Sequence, residues 1–178
     1  FANTYAIDME SLDVLDLNSG PFNILHWLTL LLQNRTIRLA SPVMVQGDAW
    51  LKKHFSIDVS SADVIKGYRA DDSYFGFARA FLRNEITLEQ LSRAMRLGEL
   101  GEQYMVKSPR AFDALDFVSC EPAQSAVYWA KRTARDDKAR RDFRELANVR
   151  EHGELAKPAL YISTLMTLEE DDLHACLR

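Results

Sequence analysis

Cysteine, glycine and proline are all scarce in this chain: two Cys, seven Gly and five Pro in 178 residues. So little glycine and proline excludes a fibrous or low-complexity chain, and 47% hydrophobic residues excludes a disordered one. Cys120 and Cys176 lie far apart, with no His at ligand spacing from either. That argues against a disulfide scaffold or a zinc module and points to a reducing, cytoplasmic setting. A dominant charge is lacking as well. Lys and Arg total 22 against 26 Asp and Glu, a net charge of −4, so no basic field is available for tight nonspecific nucleic-acid binding. A long apolar run is also missing. The most apolar stretch, Phe22 to Leu32, covers about 11 residues against the ~20 that cross a bilayer, and His26 interrupts it. It reads as a core helix, and no membrane association is expected. The histidines, His26, His54, His152 and His174, show no paired ligand spacing, so no metal is expected. No nucleophile elbow, Walker loop or dinucleotide-binding glycine turn occurs.

What is present reads as α+β, a few strands with helices between them and a helical C-terminal extension. Period-two patterning predicts strands over Tyr5–Met9 and Val14–Leu17. Pro21 suits the first position of a helix running from about Phe22 to Asn34, and Ser41-Pro42 starts another that runs to Phe55. Ala62 to Tyr68 is a strand ending near a glycine, followed by a helix from about Ser73 to Arg83. Thr87 and Gln90 form a capping box that opens a helix to about Leu97. Gln103–Val106 is a strand, Ser108-Pro109 starts a short helix, and Asp116–Cys120 is the last strand. Residues 1–121 then form one unit. Residues 122–178 form the extension, with a long helix from Ala123 to about Glu151 and the acidic run Glu169 to Asp172. The chain opens at Phe1, without Met and almost directly on a strand, which predicts a piece of a longer protein.

Three clusters could carry chemistry. Tyr68-Arg69-Ala70-Asp71-Asp72 stands where a strand yields to a helix, a position where loops place functional side chains on a rigid base. Two adjacent carboxylates tolerate one another in water or beside a cation such as Arg69. One of them could equally cap the following helix. In Glu102-Gln103-Tyr104, strand alternation sends Glu102 and Gln103 to opposite faces, so only one can serve a given cleft. An edge strand with ordinary polar ends is the plainer reading. The basic stretch Lys131 to Arg144 interleaves Asp136, Asp137 and Asp142, giving the i,i+4 pairs Arg132/Asp136 and Lys138/Asp142 of a solvated helix face. A phosphate contact there stays open.

The segment from Ala62-Asp-Val-Ile-Lys-Gly-Tyr-Arg-Ala-Asp-Asp, running on through Gln103-Tyr-Met-Val to Phe112, is similar to an uncharacterised bacterial domain family. That family in turn looks like a distant branch of the ADP-ribosyltransferase fold of poly(ADP-ribose) polymerase-like enzymes. The likeness covers roughly residues 1–130 and is most specific over 62–112. It implies NAD as substrate, transfer of ADP-ribose to an acceptor, and a role as a toxin or defence effector. In such enzymes a late strand carries an acidic residue that holds a ribose hydroxyl of NAD. The matching position here is Gln103, which keeps a hydrogen bond but loses the negative charge opposite a developing cation. Asp71 and Asp72 then become the expected source of charge, and Tyr68, Arg69, Glu102 and Tyr104 the expected NAD-binding residues. The resemblance further implies that the front of the NAD cleft lies outside this chain. The acceptor would be a protein, a nucleic acid or a small molecule, and an antitoxin or a second copy is the expected partner. The alternative is a non-catalytic binding or assembly module on the same fold, using the Ala123–Glu151 helix as its surface.

Overall fold

A computed structural model describes residues 3–68, 75–96, 102–122 and 159–177, with scattered positions between 133 and 145. The described elements are mixed helix and strand. In chain order they are β1 (Asn3–Ile7), β2 (Val14–Asp16), α1 (Ile24–Asn34), α2 (Pro42–Phe55), β3 (Val64–Tyr68), α3 (Phe75–Leu82), α4 (Leu88–Arg96), β4 (Glu102–Val106), α5 (Pro109–Asp113) and β5 (Leu115–Pro122). A short α6 (Ile162–Leu165) and α7 (Glu170–Leu177) close the chain. Among the described residues no helix is long and apolar enough to cross a membrane.

The strands divide into two sheets. β2, β3 and β4 form a three-stranded sheet with β3 in the middle, parallel to β2 and antiparallel to β4. β1 and β5 form a separate antiparallel ribbon. The parallel β2–β3 pair needs a crossover, which α1 and α2 supply. On β3, Ile65 joins Leu17, Leu30 and Ala62 in a cluster under α1, while Val64 joins Leu12 and Ala111 on the opposite side. That split is the alternation of a strand buried on both faces.

Helices make the larger core. Leu25, Leu51, Phe81, Leu82, Leu91, Ile162 and Leu165 are buried in one cluster drawn from α1, α2, α3, α4 and α6. α2 meets α6 through Gly47, where an added Cβ would lie 2.6 Å from Ile162 Cδ1.

Helix starts follow local chemistry, with one shift from expectation. α1 begins at Ile24, not near Pro21, because Asn23 caps it. Asn23 Oδ1 accepts from Leu25 N at 2.9 Å, and His26 Nδ1 accepts from Asn23 N at 3.1 Å, a box closed by an imidazole. Burial holds the His26 pKa below its ordinary value, which keeps that nitrogen an acceptor. The Thr87–Gln90 box forms as expected, with bonds of 2.8 and 3.2 Å. The acidic run near the C-terminus is the first turn of α7: Glu170, Asp171 and Asp172 sit where the helix dipole favours anions. The long helix expected from Ala123 lies mostly outside the described residues. Those between 133 and 145 are helical, and Lys138 pairs with Asp142 at 3.0 Å.

The ribbon contrasts with this packing. Between the pairs Thr4↔Glu121 and Ala6↔Asp116, the single residue Tyr5 faces the four residues Phe117 to Cys120. This enlarged bulge is held from inside: Val118 N donates to Asp116 Oδ1 at 2.9 Å, Ser119 Oγ to Asp116 O at 2.7 Å, and Ala6 N to Ser119 Oγ at 2.8 Å.

Candidate functional site

The site predicted from sequence centres on the β3–β4 pair. Register places Gly67 opposite Gln103, Lys66 opposite Tyr104 and Tyr68 opposite Glu102. Adjacent strand residues face opposite ways, so Gln103 and Tyr104 belong to different faces of the sheet. The expected catalytic amide and one expected NAD-binding ring are therefore not brought together. Arg69, Asp71 and Asp72 lie outside the described residues.

On the α1 side, Gln103 is exposed on its edge strand. Its neighbour Gly67 has no side chain for a physical reason. A Cβ there would lie 2.8 Å from the Trp27 ring, so only glycine lets the indole lie on the strand. Tyr68, half-buried at the end of β3, packs against the helical core.

The other face carries a row that the sequence reading did not single out. Asp16, Lys66 and Tyr104 are aligned across β2, β3 and β4. Lys66 Nζ is 3.2 Å from Asp16 Oδ2 and 5.9 Å from the centre of the Tyr104 ring. Asp16 Oδ1 also accepts the backbone N–H of Asn18 at 2.9 Å. Burial raises the Asp16 pKa, but the bond from Asn18 and the contact with Lys66 outweigh it, so the carboxyl is held below its ordinary range. The signal for this row was a lysine in the middle of an otherwise apolar strand, Val64-Ile65-Lys66-Gly67-Tyr68.

A second unanticipated cluster sits where β3 begins and β4 ends. Asp63 Oδ1 accepts from Ser108 Oγ at 2.5 Å, and Asp63 Oδ2 accepts from Asp13 N at 3.0 Å and Arg110 Nη1 at 3.2 Å. Ser108 Oγ in turn accepts from Ala111 N at 3.0 Å and caps α5. Lys107 Nζ donates to the Ser60 carbonyl at 3.1 Å, and Arg110 to the Ser11 carbonyl. The Ser108 hydroxyl first, then the Asp13 N–H, hold the Asp63 carboxyl below its ordinary pKa. Every oxygen of Asp63 is engaged, so this cluster joins β2, β3, β4 and α5 and offers no free group for chemistry.

A family model described as "Protein of unknown function (DUF3990)" matches residues 1–117. The chain belongs to the DUF3990 family. The match contains both sheets up to Phe117, the Asp16–Lys66–Tyr104 row, Gln103 and the Asp63 cluster, and α6 and α7 lie beyond it. No curated protein and no solved structure matches. Among the described residues of this DUF3990 chain, no group of three His, Cys, Asp or Glu side chains is placed to hold a metal ion.

Proposed function

We propose that this chain takes part in NAD-dependent ADP-ribosyl transfer, as a bacterial toxin or defence effector acting on an acceptor of unassigned class. Residues 62–112 resemble an uncharacterised bacterial domain family that in turn looks like a distant branch of the ADP-ribosyltransferase fold, and that two-step likeness suggests the reaction. The observation that carries the reading is the register of Gln103 with Gly67. It sets an exposed amide beside a position without a side chain, next to the Trp27 indole and one residue from Tyr68.

In this reading the glycosidic bond between nicotinamide and ribose breaks, nicotinamide leaves with the bonding electrons, and the acceptor nucleophile adds to the ribose carbon. The Gln103 amide oxygen accepts a hydrogen bond from a ribose hydroxyl and fixes the sugar. It supplies no full negative charge to the cationic transition state. Asp71 and Asp72, following Arg69 in sequence, would supply that charge.

Release of nicotinamide from NAD by the complete protein is the direct test. Gln103→Ala should lower turnover by about 100-fold, the scale of losing one positioned hydrogen bond at a reacting centre, and Gln103→Glu should retain it. Full activity in both Gln103→Ala and Asp72→Ala would remove the site assignment. No NAD binding by calorimetry would favour the second reading, a non-catalytic binding or assembly module. That reading is supported by the β1–β5 ribbon, where Phe117 is 63% and Val118 96% exposed.

A further inference from the structure

We propose that His26 is an acid-sensitive latch on the start of α1: its protonation opens the first turn, Asn23 to Trp27, while the rest of the helical core stays folded. The geometry is a capping box in which the usual Glu or Gln is replaced by an imidazole. His26 Nδ1 accepts the backbone N–H of Asn23 at 3.1 Å, and Asn23 Oδ1 accepts the N–H of Leu25 at 2.9 Å. A glutamine closes such a box at any pH, whereas an imidazole closes it only while Nδ1 carries no proton. Once protonated, that nitrogen is a donor aimed at a second donor.

The surroundings oppose the charge that protonation brings. His26 is the one titratable residue of α1, and it holds the third helical position, where the helix dipole disfavours a cation. Phe22 from the preceding loop and Phe55 from the end of α2 meet the imidazole edge-to-face, with centroids 5.4 and 5.1 Å away. The charged groups on the neighbouring elements are turned elsewhere. Lys52 pairs with Asp48 at 2.8 Å, Asp16 pairs with Lys66 at 3.2 Å, and Asp58 Oδ1 accepts from Ser60 N. Lys53 is exposed, and His54 packs on Trp50. Among the described residues no carboxylate pairs with His26, and burial alone holds its pKa below the ordinary value.

Opening this turn reaches the sheet. Trp27 N donates to Asn23 O at 3.4 Å, and the Trp27 indole is what covers Gly67 on β3. Trp27 Nε1 is buried without a hydrogen-bond partner among the described residues. Opening lets that donor reach water, which offsets part of the cost of lifting the ring. The stabilisation given by the latch is fully present above the ordinary histidine pKa of about 6.5. It is lost as pH falls from there towards the lower folded value. The inference does not rest on ADP-ribosyl transfer, because its readouts need no NAD.

The test is an NMR titration from about pH 7.5 to about pH 4.5, a range that spans a lowered histidine pKa and stays above the ordinary carboxylate values. It follows the His26 ring, the Trp27 indole N–H and the exchange protection of the Asn23, Leu25 and Leu91 amides. As His26 takes up its proton, protection at Asn23 and Leu25 should fall by about fivefold or more, the scale of a lost helix cap, and the Trp27 indole signal should shift with it. Leu91, whose amide donates to Thr87 O within the buried core, should keep its protection. His26→Gln should match the parent at neutral pH and lose the acid dependence, because glutamine closes the box without titrating. His26→Ala should lack the protection at every pH. Constant protection at Asn23 and Leu25 while His26 titrates would overturn the proposal. So would the same acid dependence in His26→Gln, or a loss at Leu91 in step with Asn23, which would make the opening global.

Discussion

The two polar clusters of the three-stranded sheet are built from similar residue types yet do opposite things. At the Asp63 corner, hydroxyl, guanidinium and backbone donors saturate one carboxylate, and the strands are tied to α5. Along the Asp16–Lys66–Tyr104 row, Asp16 is held by Lys66 and by the Asn18 N–H, and Tyr104 stays largely exposed. A saturated cluster contributes to stability and has nothing left to offer a ligand. A cluster with an exposed member spends little on stability and can bind. Substitutions should therefore divide cleanly, with the packed side and the corner lowering stability more than the open row does.

The largest effect is expected where the covered face is tightest. Gly67→Ala would push a methyl group to within 2.8 Å of the Trp27 ring, too close for ordinary contact. Displacing a half-buried indole against α1 should cost about 1–3 kcal/mol, as overpacking generally does. The midpoint of urea unfolding reads this directly. An unchanged midpoint would mean that the indole is not held against β3. The pair of strands that positions Gln103 would then be looser than the register implies.

How far the sequence revealed these clusters depends on the range of the forces involved. The Thr87–Gln90 box, the Pro-led starts of α2 and α5, and the strands around Val64 and Gln103 were legible because each depends on residues within four positions of one another. The start of α1 was misplaced because an imidazole at residue 26 does the work usually done by Glu or Gln, and Pro21 offered a stronger local signal. The Asp63 corner was not legible at all. Asp63 meets Ser108 and Arg110 across 45 and 47 residues, and only the antiparallel pairing of β3 with β4 closes that distance. The same pairing separated Gln103 from Tyr104, which the alternation of any strand implies, although the resemblance grouped them. The acidic run Glu169 to Asp172 shows no helix by its charges alone, because the apolar anchors of α7 come after it, at Leu173 and Leu177.

At the corner, Ser108→Ala removes both the α5 cap and the main donor to Asp63, and should cost about 1 kcal/mol, the usual scale of a lost N-cap. Its acid dependence sharpens the comparison. The folded-state pKa of Asp63 lies below its unfolded value, so the stabilisation is fully present above the ordinary carboxylate pKa of about 3.9. It is lost as pH falls through the lowered native value. Unfolding midpoints followed from neutral pH into that range should drop less steeply in Asp63→Asn than in the parent chain. Parallel curves would show that some other carboxylate controls acid unfolding.

The smallest stability effect is expected on the open row. Lys66 and Asp16 are 21% and 29% exposed, and an ion pair at that depth is screened by water and salt. A double-mutant cycle of Lys66→Met and Asp16→Asn should give a coupling below about 1 kcal/mol, shrinking further as salt is raised. The cycle discriminates because the corner and the row contain the same kind of contact at similar distances, 3.2 Å for Arg110 to Asp63 and 3.2 Å for Lys66 to Asp16. A coupling of several kcal/mol, insensitive to salt, would place the row with the corner as a structural fastening. The exposed Tyr104 ring would then be incidental to it. Weak coupling with unchanged folding would set the row apart from the corner, as a solvent-screened pair that adds little to the fold.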